Sequence, residues 1–93
     1  MIKQKNKLHP ILKEANDTLH SKSQDYGELD FSRENYFPYK DLSYITMLHI
    51  KIERLKNLVE NQDPNFESQF DSVLDLINYA AFYGAYLKKK NGS

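Results

Sequence analysis

The sequence predicts an all-α fold, a small antiparallel bundle of three to four helices that associates into a homo-oligomer. Three observations lead there. Apolar residues recur by threes and fours along three stretches, at 8–19, 42–59 and 66–87. The clearest break, the polar run Glu60-Asn-Gln-Asp-Pro64-Asn65, is short, so the helices it joins must run antiparallel. The last stretch carries more apolar side chains than one short bundle can cover. Ninety-three residues support one domain over 1–93 with a single core.

Pro10 suits a first helical position, and Leu8, Ile11, Leu12, Ala15 and Leu19 follow at helical spacing. A first helix is expected from about His9 to Ser23, ahead of a flexible basic N-terminus at 1–7 and closed near Asp25-Tyr26-Gly27, where Gly27 can take a positive φ. Residues 28–40 are less regular. A short helix anchored by Phe31, Tyr36, Phe37 and Tyr39 fits best, with Ser32 as cap and Pro38 as stop, and a strand is the weaker choice.

Asp41 or Ser43 can cap the next helix, whose Leu42, Ile45, Leu48, Ile52, Leu55 and Val59 form an amphipathic seam. The last helix runs from about Asn65 to Lys90, with a polar tail at 88–93. Its expected core stripe is Phe66, Phe70, Val73, Ile77, Ala80 or Ala81, Gly84 and Leu87. The remaining apolar face, Leu76, Tyr79, Phe82, Tyr83 and Tyr86, is assigned to the contact between subunits. Lys88 to Lys90 complement the helix dipole.

Composition narrows the function classes. Thirteen basic residues balance thirteen acidic ones, so a non-specific grip on nucleic acid is disfavoured. The absence of cysteine removes disulfides, thiolate nucleophiles and cysteine–zinc sites. Met1-Ile-Lys-Gln-Lys has no apolar signal core, and Asp75 and Asn78 interrupt the longest apolar run. A soluble cytoplasmic protein without a membrane partner is expected. Seven Tyr and five Phe without Trp give ring area with polar tips, suited to interfaces and ligand pockets.

Three constellations could carry chemistry. Asp71, Asp75 and Asn78 stand at i, i+4 and i+7 on the most apolar helix, where a carboxylate needs a cation, a metal or a ligand. With Glu67 one turn earlier, Asp71 and Asp75 could hold magnesium; the facing helix offers only Glu53 and the distant Glu60, so that set is incomplete. Lys51 and Arg54 share a helix stripe and suit phosphate, a guanidinium fork beside an ammonium. The structural alternative is an ion pair of Arg54 with Asp75 or Asp71. The third is the turn Lys22-Ser-Gln-Asp25-Tyr26-Gly27, a place for a nucleotide or its phosphates, or a plain helix end with Tyr26 on the core. His9, His20 and His49 lack metal-ligand spacing, and no serine has the setting of a nucleophile.

Lys22-Ser-Gln-Asp25-Tyr26-Gly27, Ile50-Lys51-Ile-Glu-Arg54-Leu55 and Asp71-Ser-Val-Leu-Asp75-Leu-Ile-Asn78-Tyr79-Ala80 occur in the order seen in small phage-encoded helical proteins. The chain resembles nucleotide modification associated domain 1 over roughly residues 20 to 87. More distantly it is similar to the MazG-like all-α nucleotide pyrophosphohydrolases. The resemblance implies that Asp25, Tyr26, Lys51, Arg54, Asp75 and Tyr79 converge on one site. It departs from the pyrophosphohydrolases where they carry an E-x-x-E pair: here the helix reads His49-Ile-Lys-Ile-Glu53-Arg54-Leu-Lys56, basic where they are acidic.

The expectation is a non-catalytic, phage-type nucleotide binder without a cofactor, active in a bacterial host cytoplasm and able to sequester a nucleotide signal in anti-defence. Its ligand residues would be Asp25, Tyr26, Lys51, Arg54, Asp75, Asn78 and Tyr79. The alternatives are a magnesium-dependent nucleotide pyrophosphohydrolase using Asp71 and Asp75, and an oligomeric protein-interaction module without a small ligand.

Overall fold

A computed structural model of the protein describes residues 7–22, 30–61 and 65–92. Among them are three α-helices, α1 (Pro10–Lys22), α2 (Asp41–Glu60) and α3 (Phe66–Lys90), one 3-10 turn (Glu34–Tyr36), and no strand. The all-α expectation holds, with the helix ends within a residue or so of those read from the sequence. Asp25, Tyr26 and Gly27 lie outside the described residues, as do 1–6 and 62–64.

Each helix end has a local cause. His9 Nδ1 accepts from Ile11 N at 3.0 Å, occupying one of the free amides at the start of α1. Asn65 caps α3 by accepting from Ser68 N at 3.0 Å. At α2 neither expected cap does that job. Lys40 stands at the cap position with φ 57°, Asp41 is the first helical residue, and Ser43 Oγ accepts from Tyr39 N at 2.6 Å in the preceding turn. Lys88, Lys89 and Lys90 are the last turn of α3 rather than a tail. Lys89 reaches Glu34 at 2.8 Å and Lys90 reaches Asp41 at 3.2 Å.

Helix α3 is the central element and packs against both α2 and α1. Which of its faces is buried reverses the expectation. The core is Phe37, Tyr44, Phe82 and Tyr86, with Leu19, Met47, Tyr79, Tyr83 and Leu87 packed around it. The rings assigned to a subunit contact are thus the core of the single chain. The stripe assigned to the core is largely open: Phe66 is 68% exposed and Val73 37%, and Ala80, Ala81 and Gly84 are exposed as well, while Phe70 and Ile77 are half-buried and Leu87 alone packs on the core. Beyond its chain neighbours and the backbone of its own helix, no group among the described residues lies within 4 Å of where a Cβ on Gly84 would sit. The seam of α2 behaves the same way, with Leu42, Ile45, Ile52 and Val59 exposed and Leu48 and Leu55 half-buried.

Ring area explains the choice. An aromatic side chain buries roughly 150–250 Å², so a face of four rings outweighs one that has two, Phe66 and Phe70, and otherwise small and mid-sized aliphatic groups. The tyrosine hydroxyls also find partners inside. Tyr44, wholly buried, donates to Ser32 O at 2.7 Å, and Tyr83 donates to the Asp41 carboxylate at 2.8 Å. Phe37 stacks on Tyr44 at 4.2 Å, and Tyr44 stacks on Tyr83 at 5.1 Å. Segment 30–40 holds Phe37 in place through a compact turn. Asp30 Oδ1 accepts from Ser32 N at 3.0 Å and from its hydroxyl at 2.6 Å, and Arg33 takes φ 52° with its guanidinium 5.0 Å from the Phe82 ring centre.

Candidate functional site

The α2–α3 contact aligns one polar row from each helix midway along the pair. On α3, Ser72, Asp75 and Tyr79 stand at i, i+3 and i+7 and so share a face; on α2, Lys51 and Arg54 do the same. Lys51 Nζ meets Asp75 Oδ2 at 3.0 Å, with the side chains 21% and 24% exposed, and lies 5.8 Å from the Tyr79 ring centre. Across the helix pair Asp75 is met by Lys51, where the structural alternative read from the sequence paired Arg54 with Asp75 or Asp71. The lysine is one turn closer to Asp75 along the antiparallel pair.

Arg54 is oriented differently. Its Nε donates to Ser72 Oγ at 3.2 Å, and Ser72 is 2% exposed. No carboxylate of the described residues lies within 4.0 Å of the guanidinium, which edges an open depression of about 430 Å³. Its lining is His49, Ile50, Glu53, Arg54, Asn57, Leu58 and Asn61, one long flank of α2. His49 Nε2 stands 3.9 Å from Glu53 Oε2, a contact weakened by distance and by exposure.

Two expected ligand residues have structural work instead. Asn78 Nδ2 donates to Ala15 O at 3.0 Å, tying α1 to α3. Tyr79 packs edge-on to Phe37 at 6.2 Å and to Phe82 at 5.7 Å, so its ring is committed to the core rather than free to stack on a base. Asp71 is exposed. Among the described residues no group of three or more His, Asp, Glu or Cys stands close enough together to hold a metal ion. Of the expected set, Lys51, Arg54 and Asp75 come together with Ser72. Asn78 and Tyr79 border them, and Asp25 and Tyr26 lie outside the described residues.

Sequence reading missed Ser72, and with it His49, Asn57 and Asn61 on the depression. Ser72 had a legible signal, since it sits three residues before Asp75 and seven before Tyr79 on one stripe. The polar flank of α2 had none, because such a row looks like any solvated helix face.

A second polar cluster closes the other end of the bundle. The Ser32 hydroxyl holds the Asp30 carboxyl below its ordinary range, with help from Lys89. The Tyr83 hydroxyl and Lys90 do the same for Asp41. The same Asp41 contact raises Tyr83, burial raises Tyr44, and Glu34 raises Lys89. Each of these groups is engaged inside the chain, so the cluster serves the fold.

No helix of the described residues is long and apolar enough to cross a membrane. No protein family, curated protein or solved structure matches the chain.

Proposed function

We propose that the protein binds a phosphate-bearing small molecule, a nucleotide or a nucleotide-derived signal, without performing chemistry on it. The observation that carries this reading is Arg54, a cation without a carboxylate partner among the described residues, steadied by buried Ser72 at the edge of an open depression. With Nε engaged, the two terminal nitrogens of the guanidinium remain to grip phosphate oxygens as a fork. About 430 Å³ falls in the size range of small-molecule sites, and Ile50 and Leu58 offer apolar surface beside the polar Asn57 and Asn61. Lys51 adds positive potential from one turn away while it stays with Asp75. Sequestration of a nucleotide signal in a bacterial cytoplasm is the role that the phage-type resemblance adds to this reading.

Calorimetric titration with mono-, di- and cyclic nucleotides tests it. A dissociation constant below about 100 μM is expected for at least one of them. Arg54→Met should weaken that binding about 10- to 100-fold, the loss of a charge-assisted hydrogen-bond pair, and leave the melting temperature nearly unchanged. Absence of binding across the panel overturns the proposal.

A magnesium-dependent pyrophosphohydrolase built on Asp71 and Asp75 has less support, because Asp75 already engages Lys51. Release of pyrophosphate with magnesium, lost in Asp75→Asn, would establish it in place of the binder. The interaction-module reading is favoured by the open apolar rows on α2 and α3.

A further inference from the structure

The row that α3 leaves open is a heptad seam. Phe66, Phe70, Val73, Ile77, Ala80, Gly84 and Leu87 follow one another by alternating steps of four and three, the spacing with which one helix faces another. Among the described residues most of this seam is open: Phe70 and Ile77 are half-buried, and only its last member, Leu87, packs against the core. Phe66, Val73, Ala80 and Gly84 are exposed, and Phe66 and Phe70 stack on each other at 5.5 Å. A second exposed row runs along α2, where Ile45, Ile52 and Val59 each lie one residue past Tyr44, Lys51 and Leu58. Asp41 and Tyr83 meet on the flank of each helix that leads to its row, so helical periodicity places both rows on one face of the α2–α3 pair.

The order of sizes along the seam says what covers it. From Phe66 to Gly84 its bulky residues lie at one end and its small ones at the other, and Leu87 beyond them turns to the core. Turned end for end and laid on itself, the seam sets Phe66 against Gly84, Phe70 against Ala80, and Val73 against Ile77. These are the layers an antiparallel helix pair forms. Laid parallel on itself it would stack four phenylalanine rings at one end and leave a gap between glycines and alanines at the other, which close packing does not tolerate.

Charge agrees with the antiparallel match. It brings exposed Lys88 of each copy toward the acidic first turn of the other, where Glu67 stands, and opposes the two helix dipoles. A face two helices wide and about 37 Å long offers roughly the 800 Å² per partner that a stable interface needs.

We propose that a second copy of this chain covers the face, forming a homodimer in which the two α3 helices pair antiparallel about a two-fold axis near the middle of the seam. The dimer is independent of the ligand reading, since Arg54 and its depression lie on the opposite flank of α2.

The full chain at about 100 μM should sediment at twice its 11.0 kDa mass. Ala80→Arg, a change at an exposed position, should return it to a monomer with unchanged helical circular dichroism. Because the chain has no cysteine of its own, single cysteines report the direction of pairing. A mixture of Phe66→Cys and Gly84→Cys chains should cross-link to each other on oxidation, and neither alone should cross-link to itself. A chain that sediments as a monomer overturns the dimer. A dimer that persists in Ala80→Arg, or self-linking of Phe66→Cys, overturns the seam or its direction.

Discussion

The inner and outer faces of α3 are both apolar, and they behave in opposite ways. The inner face carries Leu74, Phe82 and Tyr86, all buried, and its rings meet Phe37 and Tyr44: Tyr79 edge-on to Phe37, Tyr83 stacked on Tyr44, and Phe82 and Tyr86 in tilted contacts. The outer face carries the regular seven-residue spacing and is open at Phe66, Val73, Ala80 and Gly84, with Phe70 and Ile77 half-buried and Leu87 reaching the core. Spacing therefore marks where a helix can be packed against, while area and hydrogen-bonding reach decide which face is packed within the chain. Tyrosine supplies both at the inner face, because its ring fills space and its hydroxyl finds Ser32 O or Asp41.

The sharpest way to break this contrast is to remove a ring from each face. Tyr44→Ala should cost about 3–5 kcal/mol, the range for emptying a buried aromatic site. Phe66→Ala should cost less than about 1 kcal/mol in the monomer, because that side chain is mostly solvated. Urea denaturation, carried out in the Ala80→Arg background to separate folding from association, measures both. Equal losses would erase the distinction between the faces.

The polar row between the helices gives a smaller effect. Lys51→Met removes one cation from Asp75, three-quarters buried, and a loss of about 1–3 kcal/mol is expected. Restoring an apolar match with Lys51→Met and Asp75→Leu together should recover most of it. By contrast, Lys13→Met breaks an exposed pair with Asp17 and should cost no more than about 0.5 kcal/mol. A double-mutant cycle on each pair gives the comparison directly.

Removing one hydroxyl probes the inner face more finely. Tyr44→Phe keeps the ring and deprives the Ser32 carbonyl of its donor, for an expected loss of about 1–2 kcal/mol. A neutral result would mean that ring packing alone selects the inner face.

The dependence on pH should report the same end of the bundle. Asp30 and Asp41 are lowered from 3.8 by their hydroxyl donors, so their contribution is present above that value and is lost as the pH falls below it. Tyr44 and Tyr83, raised from 10.0, and Lys89, raised from 10.5, contribute below those values and lose their contribution as the pH rises past them. Thermal melts should therefore show a plateau with an acid edge and an alkaline edge. Tyr83→Phe removes the Asp41–Tyr83 bond and should lower the plateau while making both edges shallower. Edges unchanged in that variant would place the titrating groups elsewhere.

Much of the fold was legible before any coordinates. Pro10 marked the start of α1, Asn65 that of α3, and the polar run after Glu60 the break between α2 and α3. These features act within a few residues, so local chemistry sets them. The site was less legible. Lys51, Arg54 and Asp75 do come together, yet the cation that meets the aspartate is Lys51, and Asn78 and Tyr79 serve packing. One turn of offset between two helices settles which side chains meet, and no spacing within either helix contains that offset.

By itself the sequence determined three long helices with room for a fourth short one, their order, the antiparallel sense of the last two, and two apolar faces on α3, because periodicity and capping are written within each segment. Only the tertiary structure decided that the face of four rings lies inside, that Ser72 steadies Arg54, and that most of the regular seam is left open. Those outcomes depend on how the area and hydrogen-bonding partners of distant segments add up. That sum exists only once Phe37 and Tyr44 have been brought against α3.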